Sequence, residues 1–226
     1  MKRTLRALAF AAVPAVTGLA SALPALAATD GHFTVTIRNV STDATLKLPD
    51  GSAIKAPIAP GAYAVIASGV PPFAVGQPAG SDGLESLAED GNAEPLIQSL
   101  KAEPGVREAG LFLPGQPFEV TARPGDKLVF LSMFVQSNDL FYAPRAGAIA
   151  LYRADGKPVS GDLTSEVALW DAGTEVNEQP GVGPNQAPRE KAPNTGPDEH
   201  GTVGPVKDGF AYPAPDQVIA LSIAAD

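Results

Sequence analysis

The sequence predicts an all-β fold, and three observations predict it. Short apolar runs recur along the chain, and one of them alternates strictly. Turn formers separate these runs, with 23 Pro and 23 Gly among 226 residues. Helical spacing is confined to one stretch, residues 81–102. Short apolar segments divided by frequent turns bury their surface best as packed sheets.

Residues 32–40 are the strictly alternating run. Phe33, Val35 and Ile37 fall on one face and Thr34, Thr36 and Arg38 on the other, the period of a half-buried strand. Residues 45–48 read as a short strand running into the turn Pro49-Asp50-Gly51, and residues 62–66 as a further apolar strand. Two short helices are expected over 84–90 and 95–101, with Ser81 or Asp82 capping the first and Pro95 in the first turn of the second. Strands resume at 118–122, followed by the turn Arg123-Pro124-Gly125-Asp126. Residues 127–135 are the most apolar run after the chain start and predict a central strand. Residues 148–152 lead into a hairpin-like turn at 154–158, and 166–170 form the next strand. Residues 177–207 have almost no periodicity and are dense in Pro and Gly. A loop of that length inside a compact domain is either disordered or functional. Residues 218–223 read as a last strand, which places the long loop within the domain.

Residues 1–27 read as an export signal. Lys2, Arg3 and Arg6 precede an Ala/Leu/Val-rich segment, and Ala25-Leu26-Ala27 supplies small residues for cleavage. Residues 28–226 are then one domain with its own core. No later window approaches the roughly 18 apolar residues that span a bilayer. There is no cysteine, which excludes disulfides, thiolate zinc sites and iron–sulfur clusters. Without the export segment, 13 basic residues face 25 acidic ones, a net charge of −12. That balance disfavours nucleic acid and anionic lipid as partners and is compatible with divalent cations. A secreted or periplasmic location follows from the export signal.

The chemistry concentrates in Leu169-Trp170-Asp171-Ala172-Gly173-Thr174-Glu175. Asp171 and Glu175 stand four apart around a Gly-Thr turn, behind the only tryptophan. Asn177, Glu178 and Gln179 add further side-chain carbonyls. A loop so rich in oxygen suits a hard cation such as calcium. A second polar cluster, Gln136-Ser137-Asn138-Asp139, interrupts an apolar run, and the two clusters are placed to converge at one end of a sheet. Trp170, Phe134, Phe141 and Tyr142 are read as core anchors. His32 and His200 are too few and too far apart for a copper or zinc cluster, and both are expected at the surface.

Two segments carry a family resemblance. Ser132-Met133-Phe134-Val135-Gln136-Ser137-Asn138-Asp139-Leu140-Phe141-Tyr142-Ala143-Pro144 and the 169–175 segment resemble the spondin domain of F-spondin and mindin and its single-domain bacterial relatives. The second motif differs from the animal pattern in having Glu175 where an aspartate stands. The resemblance spans roughly residues 33–203 as a plan, with only these two motifs specific. It implies a C2-like antiparallel β-sandwich with short helical insertions and a long Pro/Gly-rich loop. It also implies calcium held by loops at one end, and adhesion or recognition of an extracellular or envelope protein or glycan. By position it carries Asp171 and Glu175 over as ligands, Asn138 or Asp139 as the first-motif ligand, and Asp126 as the nearest match to an acidic residue opening the central strand. Asp126 also sits in Pro-Gly-Asp-Lys, a routine turn sequence.

Catalysis is not expected. No Gly-x-Ser-x-Gly elbow and no His-Glu-x-x-His occurs. Asp171 and Glu178 could pair as in a glycosidase, but no flanking pattern supports it. A secreted hydrolase and an envelope structural protein with a metal-stapled loop stand as the alternatives.

Overall fold

The computed structural model describes residues 30–67, 73–80 and 83–226. The export segment 1–27 and the expected caps Ser81 and Asp82 lie outside the described residues. In chain order the strands are β1 (Gly31–Asn39), β2 (Leu46–Lys47), β3 (Ala53–Ile54) and β4 (Gly61–Ile66). The helices α1 (Leu84–Asp90) and α2 (Glu94–Ala102) follow. Then come β5 (Val106–Phe112), β6 (Pro117–Ala122), β7 (Lys127–Met133), β8 (Leu140–Pro144), β9 (Ile149–Ala150), β10 (Gly161–Asp162), β11 (Val167–Asp171), β12 (Gly204–Pro205) and β13 (Ile219–Ala225).

These strands form an antiparallel sandwich. One sheet has the order β10-β13-β1-β6, and the other runs β12-β11-β8-β7-β4-β5 with β9 paired to β7. The ribbon β2-β3 stands apart. The alternation in β1 is realised as expected, with Phe33, Val35 and Ile37 fully buried between the sheets. They meet Leu128, Phe130 and Tyr142 of the facing sheet.

The larger sheet is covered on its other face as well. Val129 and Leu131 of β7, with Phe141 and Trp170, pack against Leu84, Leu87, Leu96 and Ile97 of the two helices. β7 is therefore buried on both faces, which explains its unbroken apolar run. Each such side chain contributes about 1.5–3 kcal/mol relative to leaving it in water.

Both expected helices are present. Gly83, in the left-handed region, is the N-cap of α1, and Pro95 lies in the first turn of α2 as anticipated. Besides the two-residue strands β3, β10 and β12, two longer strands escaped the sequence reading. β5 is a sheet edge on which only Phe112 is buried, so it lacks a clear apolar face. β8 is buried throughout and ends on Pro144, so it has no alternation. No described helix is long and apolar enough to cross a membrane.

Gly61 marks the tightest approach between β4 and the core. A Cβ there would lie 2.1 Å from the Leu131 carbonyl oxygen and 2.5 Å from the Phe112 ring. Gly61→Ala is expected to cost about 1–3 kcal/mol through overpacking, read as a lower urea midpoint at unchanged slope. An unchanged midpoint contradicts this packing.

Candidate metal centre

Two polar corners meet because of one strand register. β11 runs antiparallel to β8 with Asp171 opposite Leu140. The Ala172 N–H then donates to the Asp139 carbonyl at 3.3 Å, extending the ladder. The 136–139 and 171–175 clusters thus share one end of the larger sheet.

The first corner is the turn between β7 and β8. The Ser137 hydroxyl donates to the Phe134 carbonyl at 2.7 Å and accepts the Leu140 N–H at 3.1 Å. That closes the turn and points Asp139 under the second corner. There Asp171 Oδ1 accepts the Gly173 N–H at 2.8 Å, an Asx-type turn. Gly173 has φ 69°, and a Cβ on it would meet the Thr202 nitrogen at 2.6 Å. Only glycine fits both demands.

The long loop supplies a third side. Its backbone pairs with the second corner, through Val176 N–H to the Pro197 carbonyl (2.8 Å), Glu199 N–H to the Thr174 carbonyl (2.9 Å) and Gly201 N–H to the Gly173 carbonyl (2.7 Å). This pairing brings Glu199 to Asp171. Asp139, Asp171 and Glu199 each offer one carboxylate oxygen, and the three lie within 4.8 Å of one another. Asp139 is fully buried, Asp171 is 9% exposed, and Glu199 stands at the mouth. Asp171, Asn177, Glu199 and Asp208 line a cleft of about 470 Å³, with Lys207 on its rim.

Asp139 is half satisfied. Its Oδ2 accepts the Thr174 N–H (2.8 Å), the Glu175 N–H (3.1 Å) and the Thr174 hydroxyl (3.3 Å). Its Oδ1 is buried and has no hydrogen-bond partner. Asn177 Oδ1 is buried and unpartnered too, while the Asn177 amide donates to Asp171 Oδ2 at 2.7 Å. A buried carboxylate oxygen without a donor costs free energy unless a proton or cation meets it. Burial, and then the charge of Asp171, pushes the Asp139 carboxyl up to about 7 against the hydrogen bonds from Glu175 and Thr174. Burial raises Asp171 as well, and burial followed by the charges of Asp171 and Asp208 raises Glu199. A cation among these oxygens would reverse all three shifts. The donors are carboxylate and amide oxygens, the set a hard divalent ion takes.

Of the residues expected from sequence, the fold unites Asp139 and Asp171. Glu175 turns aside, its Oε1 accepting the Gly196 N–H at 2.7 Å and its Oε2 the Asn138 amide at 3.2 Å. Asn138 is engaged at both ends, since its Oδ1 accepts the Glu178 N–H at 3.1 Å. The two tie the corners together instead of facing the cluster. Asp126 lies at the opposite end of β7, about 20 Å away at the rise of a strand. There it accepts the Arg123 N–H at 2.8 Å and pairs with Arg107 at 2.7 Å. Glu199 was missed as a member of the cluster, because nothing around it in the Pro/Gly-rich loop marks it out. Glu178, the imagined catalytic partner of Asp171, is held by Asn185 at 2.6 Å. Trp170 lies under the site as a core anchor, its ring centroid 5.3 Å from that of Phe73.

No protein-family profile matches the chain, and no curated protein matches it either.

The shifted carboxyls predict a pH dependence. Asp139 titrates at 3.8 when unperturbed and near 7 in the fold, and Glu89 at 4.5 and near 8. The folded chain holds these protons more tightly than the unfolded chain, so stability falls as pH rises through these windows. In chelator, the melting temperature is expected to drop between about pH 5 and about pH 8, and Asp139→Asn to flatten the drop. A melting temperature that climbs over that range in both proteins rejects the assignment.

Proposed function

We propose that this chain is an exported β-sandwich that holds one calcium ion at the Asp139–Asp171–Glu199 end and acts by recognition or adhesion, without catalysis. The observation that carries the reading is that Asp139, whose Oδ1 is buried without a partner, lies in one carboxylate cluster with Asp171 and Glu199. Ligands drawn from three separate segments suit calcium, which accepts six to eight oxygens in loose geometry. Magnesium requires near-ideal octahedral placement. The resemblance of residues 132–144 and 169–175 to the spondin domain points to the same ion and the same role. The charged, apolar and cleavable pattern of residues 1–27 supports export.

The recognition face in this reading is the cleft beside the ion. Val176, 46% exposed, and Phe210 line it next to the carboxylates. An extracellular or envelope protein or glycan is the partner class. One observation favours a second reading, an envelope structural protein with a metal-stapled loop. Glu199 belongs to the long loop, so an ion bound there ties that loop to the sandwich.

Asp139→Asn is the test, because an amide oxygen can still accept the Thr174 and Glu175 N–H groups. Calcium at about a hundred times its dissociation constant is expected to stabilise the native protein by about 2.7 kcal/mol and the variant by almost nothing. Trp170 fluorescence should report the titration. Equal calcium responses in the two proteins would overturn the metal reading. A glycan and cell-surface binding screen with and without chelator separates recognition from stapling.

A further inference from the structure

A second acidic cleft lies between α1 and the 190–196 segment of the long loop. Its volume is about 240 Å³, and Glu85, Glu89, Asp90 and Asn194 line it. Glu89 is 3% exposed, and its Oε2 is buried without a hydrogen-bond partner. Asn194, held at φ 52°, donates its amide to Glu85 Oε1 at 2.9 Å and its backbone N–H to Asp90 Oδ1 at 3.4 Å.

The charge around Glu89 is of one sign. Glu175, Glu85 and Asp139 all act on it, and Asp90 and Glu175 act on neighbouring Glu190. The ion pairs among the described residues are Arg107–Asp126, Arg123–Asp30 and Lys157–Asp155, and none reaches this cleft. Lys191, the nearest basic residue along the loop, is exposed and forms no ion pair. Burial pushes the Glu89 carboxyl up to about 8, as expected for a carboxylate that lacks a counter-charge.

A bare metal ion does not suit this cleft. Among the described residues the one carboxylate trio with oxygens mutually within 4.8 Å is Asp139, Asp171 and Glu199. The cleft's acceptors are spread more widely. Spread acceptors match a cation that distributes its charge over several N–H donors, three on an ammonium and five on a guanidinium. The volume is below the roughly 300 Å³ at which ordinary ligand pockets begin. It accommodates the end of one side chain.

We propose that this cleft receives the ammonium or guanidinium end of a basic side chain presented by a protein partner, with Glu89 Oε2 as its buried anchor. Glu85 and Asp90, positioned by Asn194, accept the remaining N–H groups. The site is separate from the calcium reading and does not depend on it.

The probes are N-acetyl-argininamide and N-acetyl-lysinamide, with neutral N-acetyl-citrullinamide as the control. Two-dimensional amide NMR of the full chain follows their titration in chelator. Saturable shifts in α1 and around Asn194 are expected from a cationic probe at millimolar dissociation constants. The citrulline control should bind at least about tenfold more weakly. Glu89→Gln, isosteric with the protonated acid, should weaken the cationic probe by about tenfold or more. Glu199→Gln, which removes a proposed calcium ligand, should leave probe binding unchanged. Comparison of the two cationic probes distinguishes guanidinium from ammonium. No saturable shift with either probe, equal binding of citrulline, or full affinity in Glu89→Gln overturns the proposal. Failure of calcium to stabilise the protein, with probe binding intact, bears on the metal centre alone.

Discussion

The register between β8 and β11 is the constraint on which this end of the molecule depends. Asp171 stands opposite Leu140, and Asp139 therefore lies beneath the 171–175 turn. From that position its Oδ2 reaches the Thr174 and Glu175 N–H groups. A slip of one residue would send each β11 side chain to the other face of the sheet. Trp170 would leave the helix-side core, and the Asp139–Thr174 contact would be lost. The buried faces of β8 and β11 therefore enforce the geometry of the polar site, since Trp170 must stay with Phe73 and Phe141.

Two aspartates at opposite ends of β7 show how environment divides one residue type into two roles. Asp126 is 2% exposed, yet a guanidinium and a backbone N–H meet its carboxylate. It is a closed structural pair. Asp139 is as deeply buried, but no guanidinium or ammonium pairs with it; its Oδ2 accepts only two backbone N–H groups and a hydroxyl. Its Oδ1 is buried without a hydrogen-bond partner, and burial, followed by the charge of Asp171, drives the proton affinity of the carboxyl up. An unpartnered oxygen in a folded core marks a polar site more sharply than any count of acidic residues.

The long loop has little regular structure, but several of its buried polar groups are hydrogen-bonded. Gln186, fully buried, accepts the Gly181 N–H at 3.0 Å and donates to the Gln179 carbonyl at 2.9 Å. Arg189 donates to the Gly183 carbonyl at 2.8 Å and to Gln136 Oε1 at 3.1 Å, which ties the loop to the first polar corner. Glu175 and Asn138 add a second tie. Irregular backbone held on a rigid sandwich is where binding residues commonly sit. Here the loop delivers Glu199 to the carboxylate cluster and Asn194 to the cleft over α1.

Periodicity and turn chemistry along the chain determined the β-rich class, the central place of β7, the two inserted helices and the two polar corners. Those features follow from neighbours a few residues apart, so local order encodes them. The edge strand β5 and the wholly buried β8 were not legible, because neither has one wet and one dry face. Asp139 and Asp171 were recognisable as candidates from their turn context. Whether each carboxylate met a donor or stood bare was decided only in three dimensions. Asn138 and Glu175 found each other across 37 residues, and Asp126 found Arg107. Glu199 reached Asp171 through the pairing of 173–176 with 197–201. Side-chain oxygens look alike in a sequence, and their partners come from strand register and loop path, which depend on the packing of the whole sandwich.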